Sequence, residues 1–285
     1  MKIDILLATY NGEKYIADQI SSILEQTYTD WRIISRDDGS SDNTVNILRG
    51  YADSYKEKFL LIESEKQNLG SCQNFSHLLN FSDAEYIMFC DQDDIWMPDK
   101  IQITIDKMRD LEKEYPDHPI LVHTDLNIVD ENLKLISNSM WEYQDLDIRF
   151  EKELYKIAVH NIVTGCTVMI NRKAKLCSIP IPKEAVMHDW WIAINVCKYG
   201  IISHISQSSI LYRQHSDNRL GAIEKNKKRN PRFYLMRILR IVPFAKNNYE
   251  KFKMLKKLDF KLKASSLIKN ELIIIFKNLF SINLE

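Results

Sequence analysis

The sequence predicts an α/β fold on one open sheet, and two observations carry that prediction. Short apolar runs alternate with amphipathic stretches through the first half of the chain, as strands and helices do when they follow one another. Polar clusters stand directly after three of the predicted strands, at Thr9-Tyr10-Asn11, Asp37-Asp38 and Asp91 to Asp94. Ligands of open α/β sheets bind outside the carboxyl ends of strands, so three such clusters point to one shared pocket.

The elements follow in order. Ile3 to Leu7 reads as a strand buried on both faces, and Tyr15 to Gln26 as a helix with Ile16, Ile20, Ile23 and Leu24 on one side. Trp31 to Ile34 is the second strand, Thr44 to Tyr51 a helix, and Phe59 to Ile62 the third strand. Cys72 to Leu79 is helical, and Tyr86 to Phe89 is a fourth strand running into Cys90-Asp91-Gln92-Asp93-Asp94. Pro98-Asp99 opens another helix, since proline's missing N–H costs nothing there. Further on, Ile120 to His123, Cys166 to Ile170 and Ser209 to Arg213 read as strands, and His188 to Lys198 as a helix.

At 285 residues the chain accommodates one large domain with a tail. Hydrophobic residues make up 45% and charged residues 27%, and the formal net charge is zero, which gives no argument for a nucleic-acid partner. The five cysteines are scattered without a Cys-x-x-Cys pair, so reduced thiols are expected and no zinc site follows. Without a cleavable signal pattern or a run of about 18 apolar residues, the expected location is the cytoplasm. Residues 223–285 differ in character: Lys225, Lys227, Lys228, Arg229, Arg232, Arg237 and Arg240 crowd together, and six more lysines follow between Lys251 and Lys263. Such a basic amphipathic stretch reads as a peripheral contact with an anionic membrane, or as a solvated helical appendage or dimerisation element.

Asp91-Gln92-Asp93 places two carboxylates one residue apart on a loop after a strand. That suits a hard divalent cation, Mg²⁺ or Mn²⁺, bridging protein and phosphate oxygens. Taken alone, the triplet reads equally as a solvated turn or a helix N-cap. Asp37 to Thr44 offers a carboxylate at a strand end, able to accept the N3–H of a pyrimidine, and also a β-turn with Ser41 or Asp42 as helix cap.

Leu7-Ala8-Thr9-Tyr10-Asn11-Gly12-Glu13, then Asp37 to Thr44, Asn68-Leu69-Gly70 with Asn74, and Asp91-Gln92-Asp93-Asp94 occur in the order found in glycosyltransferase family 2. Over roughly residues 1–220 the chain resembles a bacterial, rhamnosyltransferase-like member of that family. The resemblance implies a GT-A fold with a mixed central sheet, as residues 1–222, followed by the helical basic extension at 223–285. It implies a metal-dependent, inverting transfer of a sugar, from dTDP-rhamnose or a UDP-hexose, to a saccharide or lipid-linked glycan of a surface polysaccharide.

The same resemblance assigns roles. Ala8, Thr9, Tyr10, Asn11 and Glu13 match the loop that cradles the base, and Asp38 the residue that reads it. Gly70 and Asn74 lie near the ribose and donor sugar, with Asp91 and Gln92 also toward the donor. Asp93 matches the principal metal ligand, Asp91 stands beside it, and His215 either completes the metal site or binds diphosphate. Arg213 pairs with phosphate, and Thr164 to Thr167 resembles a turn near the donor sugar. Asp189 in Val186-Met187-His188-Asp189-Trp190-Trp191 matches the catalytic base, against the alternative of capping its own helix. His188 stands where many members have Glu, and either assists or packs. Trp190 and Trp191 offer indole faces to an acceptor, one of them belonging instead to the core.

Three other readings compete. A sugar nucleotidyltransferase would need a basic, Gly-rich phosphate loop after the first strand, which Leu7 to Glu13 lacks. A non-catalytic scaffold would have no use for intact Asp91, Asp93 and Asp189. A glycosidase would leave the nucleotide-type loops without purpose.

Overall fold

The computed structural model describes residues 3–62, 68–216, 222, 253–254 and 257. Strands β1 (Ile3–Thr9), β2 (Trp31–Asp37), β3 (Phe59–Ile62) and β4 (Tyr86–Cys90) pair in parallel, in the order β3-β2-β1-β4. Alternate residues of these strands enter opposite apolar layers, as the two-residue strand period requires. Ile3, Ile5 and Leu7 of β1 join one layer and Leu6 the other; Met88 and Cys90 of β4 join the first, Ile87 and Phe89 the second. Both faces are therefore covered. Helices α1 (Ile16–Leu24) and α2 (Thr44–Ser54) cover the first and α3 (Ser71–Phe81) the second. Ile16, Ile20 and Ile23 of α1 are fully buried, each worth about 1.5–3 kcal/mol relative to exposure.

The sheet then turns mixed. Beyond β4 come β8 (Met169–Asn171), β6 (Ile120–Asp130), β9 (Ile201–Gln214) and β5 (Ile95–Trp96), while β7 (Leu135–Ser137) pairs with β6. β8 is antiparallel to β4 and β6, whereas β6 and β9 form a long parallel arm. Helix α4 (Lys100–Glu114) packs on the first face. The short helices α5 (Met140–Gln144), α6 (Leu154–Val159) and α7 (Arg172–Ser178) lead to α8 (His188–Tyr199) on the second. The parallel half of the sheet thus has the order 3-2-1-4. Because the chain runs β1, β2, β3 and then returns beside β1 as β4, the switch point lies between β1 and β4.

Several elements differ from the sequence reading, mainly where strands carry polar residues. β2 continues through Ser35, Arg36 and Asp37, all buried, and β6 runs through His123, Thr124 and Asp125. Those side chains have interior partners, such as Thr124 Oγ1 and Ser209 Oγ at 2.6 Å. The strand expected over Cys166 to Ile170 begins only at Met169, because Gly165–Thr167 forms a 3₁₀ turn before β8. Pro98 stands one residue before the N-cap Asp99, and the helix starts at Lys100. The expected extension at 223–285 falls outside the described residues except at positions 253–254 and 257. There Met254 is buried in the second apolar layer and Lys257 pairs with Glu184 at 3.4 Å. Among the described residues no helix is long and apolar enough to cross a membrane.

Candidate active site

The carboxyl ends of β1, β2 and β4 lie side by side, Thr9 opposite Asp37 and Leu7 opposite Cys90. A cavity of about 390 Å³ opens there. Of the residues expected at the donor, Ala8, Thr9, Tyr10, Asp38, Gly70, Asn74, Asp91 and Gln92 line it, together with Asp93. The wall also includes Asn68, Ser71, Phe75, Met187 and Tyr212, for which the sequence reading assigned no role. Ser71 and Phe75 share α3 with Asn74, and helical spacing is the signal that would have found them.

Adjacent carboxylates divide the work at the end of β2. Asp37 turns inward: it accepts the Gly39 and Ser40 N–H groups at 3.0 and 2.7 Å and the hydroxyls of Thr9 and Ser40 at 2.9 and 2.5 Å. Asp38 faces the cavity. Its carboxylate accepts Arg36 Nη1 and the N–H groups of Leu69 and Gly70, each at 2.8 Å. Arg36, which the sequence reading passed over, also donates to Asn74 Oδ1 at 2.8 Å, joining β2 to α3 from behind the pocket. Gly70 makes this possible with φ of 77°, a conformation other residues adopt at a cost.

Asn11 and Glu13 do not line the cavity. They zip the loop after β1 to the one after β2 instead. Asn11 N–H donates to Ser40 Oγ, Asn11 Oδ1 accepts the Ser41 N–H, and Glu13 Oε2 accepts the Asn43 N–H, at 2.8, 2.9 and 2.7 Å. Tyr10 is left 48% exposed at the rim. Asp42 binds Thr44 N and Oγ1 at 3.1 and 2.5 Å, ahead of the N-cap Asn43.

The acidic loop meets the end of β9. His215 Nε2 lies 2.9 Å from Asp93 Oδ2, which unites two of the three residues expected as metal ligands. Arg213, expected to pair with phosphate, serves otherwise: its guanidinium is buried and spent within the protein. Nε donates to the Asp93 carbonyl, Nη1 to the Glu131 carbonyl and Nη2 to Asp18 Oδ2, at 3.0, 3.0 and 3.1 Å. Its own N–H donates to Asp94 Oδ1 at 3.1 Å. Arg213 is thus a brace for the acidic loop.

Behind the cavity, Asp94 is fully buried, and one ligand atom each of Asp91, Asp94 and Cys166 lies within 4.8 Å of the others. Burial and the neighbouring charges of Asp93 and Asp91 hold the Asp94 carboxyl well above the usual range; burial, Asp93 and Asp189 push Asp91 up likewise. Lys100, also fully buried, lies over the Trp96 ring at 4.7 Å and is pushed down to about 8 by desolvation. Crowded, desolvated carboxylates are what a divalent cation relieves, and carboxylate oxygens suit a hard ion. Asp93 and His215 meet beside the pocket, whereas the deeper set of Asp91, Asp94 and Cys166 includes a soft thiol that suits a hard ion less well. The Cys166 thiol is raised well above its usual value by burial and by Asp94 and Asp91, so it is not a nucleophile at neutral pH.

On the second face, α8 begins at His188-Asp189. Burial pushes the Asp189 carboxyl up to about 6, against donation from Trp190 N–H, Gly165 N–H and Asn161. Gly165 lies against it: a Cβ there would meet His188 Nε2 at 3.1 Å and Asp189 Oδ2 at 3.4 Å. His188 packs. It is 2% exposed, stacks on Phe75 with ring centroids 4.0 Å apart, and is pushed down to about 3 by burial, hence neutral. The acceptor-floor expectation for Trp190 and Trp191 is corrected, for both indoles are core. Their Nε1–H groups donate to the carbonyls of Ile157 and Ser178 at 2.6 and 2.7 Å, and apolar neighbours cover the rings.

Comparison with known proteins agrees with this geometry. The structure resembles that of S. aureus TarS residues 1–349 in complex with UDP-GlcNAc, with a TM-score of 0.59 at 19% identity, covering 99% of this chain and 73% of that one. Against another S. aureus TarS structure the match covers 75% of this chain and 37% of that one. The dTDP-rhamnosyl transferase RfbG of Shigella flexneri is 30% identical over 247 residues, 81% of this chain and 79% of RfbG. The Escherichia coli UDP-Glc:alpha-D-GlcNAc-diphosphoundecaprenol beta-1,3-glucosyltransferase WfgD is 27% identical over 207 residues, 72% of this chain and 73% of WfgD. Residues 4–177, more than half of the chain and all three loops of the pocket, match the family model described as glycosyl transferase family 2. With its GT-A fold and these loops at the strand ends, the chain belongs to glycosyl transferase family 2, as a nucleotide-sugar glycosyltransferase.

Proposed function

We propose that the protein moves a sugar, with inversion, from a nucleoside-diphosphate donor to a saccharide acceptor of a surface polysaccharide. The observation that carries this reading is the meeting of Tyr10, Asp38, Asn74, Asp91 and Asp93 in one cavity at the carboxyl ends of β1, β2 and β4. Tyr10 stacks on the base from the rim, and Asp38, three of whose roughly four lone-pair positions are used by described residues, accepts the pyrimidine N3–H at the remaining one. Asp91, Asp93 and His215 would hold Mn²⁺ or Mg²⁺, which supplies charge neutralisation to the diphosphate as it leaves. Asp189 takes the proton of the acceptor hydroxyl while that oxygen attacks the anomeric carbon from the face opposite the diphosphate. The names of RfbG and WfgD favour dTDP-rhamnose and UDP-glucose as donors. A lipid-linked acceptor accords with the name of WfgD and with the lysines and arginines of residues 223–285, which suit an anionic membrane face.

The test is a donor panel: purified protein, Mn²⁺ or Mg²⁺ and each nucleotide sugar, with detection of released nucleoside diphosphate. Metal-dependent release from one donor, lost in Asp93→Ala, is the expected result. Absence of both release and binding for every nucleotide sugar would overturn the reading.

A further inference from the structure

The side chain of Gln92 does something that donor contact does not require. Its Oε1 accepts the N–H of Tyr10 at 2.8 Å and its Nε2 donates to the carbonyl of the same residue at 2.9 Å. One primary amide thus closes both backbone groups of Tyr10, 82 residues away in sequence. Gly12 provides the room, since a Cβ there would lie 2.3 Å from Gln92 Oε1 and 2.5 Å from Gln92 Cδ.

We infer that Gln92 is a positioning residue, a latch that holds Tyr10 at a set distance from Asp91 and Asp93, with Gly12 as the space it needs. This rests on the nucleotide-sugar reading of the pocket. A nucleoside diphosphate has its base and its diphosphate joined at a fixed span. Holding the two loops in register therefore favours ligands that engage both ends at once. Loss of the latch weakens nucleotides and spares a ligand that touches only the acidic end.

A double-mutant cycle tests this: wild type, Gln92→Ala, Gly12→Ala and the double variant, each titrated with UDP, dTDP and inorganic diphosphate in Mn²⁺, with melting temperatures alongside. Each single substitution should weaken nucleotide binding about tenfold, the scale of two hydrogen bonds, and leave inorganic diphosphate unchanged. The added methyl of Gly12→Ala acts by displacing the far end of a flexible side chain, so the double variant should bind no more weakly than Gln92→Ala. Penalties that multiply to about a hundredfold, a Gln92→Ala protein with wild-type nucleotide affinity, or an equal loss for inorganic diphosphate would each overturn the latch. If wild type binds neither UDP nor dTDP, the pyrimidine-nucleotide reading of the pocket fails separately. The cycle read on melting temperature then decides the latch, with additive losses overturning it and non-additive losses sustaining it.

Discussion

Asp189 stands at the first turn of α8 with its carboxyl raised to about 6 by burial. As the proposed base it must be ionised to accept a proton, so turnover should rise with pH through about 6 and level off above it. Asp189→Asn should lower kcat by about 10²–10⁴-fold and remove that limb from the pH profile. A limb that persists in the variant would place the base elsewhere. At this scale the sequence separates residue types well and duties poorly. Asp37 and Asp38 are neighbours of one chemistry, yet Asp37, the last residue of β2, ties a turn and Asp38, just past the strand, faces the cavity. Arg213 was read as a phosphate partner and braces the acidic loop instead. A guanidinium offers five donors to whatever acceptors surround it, and sequence does not display those acceptors.

The β6–β9 arm carries its own polar interior. His123 and His204 face each other across the parallel pair, and Glu151, from the turn Ile148–Lys152, reaches both. Its Oε2 lies 3.0 Å from His204 Nδ1 and 3.9 Å from His123 Nε2. Burial alone would raise the Glu151 carboxyl, but the two imidazoles outweigh it and hold it below the usual range. A carboxyl depressed by folding stabilises above its unfolded value, about 4.3, and loses that contribution as pH falls through the folded one. Glu151→Gln should therefore cost about 1–3 kcal/mol near pH 7. The gap in melting temperature from wild type should narrow below about pH 4. A gap independent of pH would mean that the loss is one of packing. Glu151 lies far from either histidine in sequence, and only the fold brings it within reach of both.

Across the whole molecule, charges from distant segments meet at the acidic loop. Asp91 and Asp93 line the pocket after β4, His215 after β9 pairs with Asp93, and the charge of Asp189 at the start of α8 acts on Asp91. Chelation with EDTA should abolish release of nucleoside diphosphate, and Mn²⁺ or Mg²⁺ should restore it. The Asp93→Ala protein should gain nothing from added metal. Turnover that withstands exhaustive chelation would remove the ion from the site.

The alternation of apolar runs and helices, and the polar loops after strands one, two and four, were set by local sequence. Their consequence, a 3-2-1-4 parallel half with a pocket at its switch point, was legible for that reason. Only the tertiary structure decided which polar residues face the pocket and which brace it. Strand periodicity and apolar burial are local properties that neighbouring residues record. The partners of Gln92, Arg213 and Glu151 come from segments far along the chain, and packing alone brings them within hydrogen-bond reach. His188, Trp190 and Trp191 carry chemistry that suits an acceptor, but the second apolar layer claims them, because large rings on an inward-facing helix stabilise most where water is excluded.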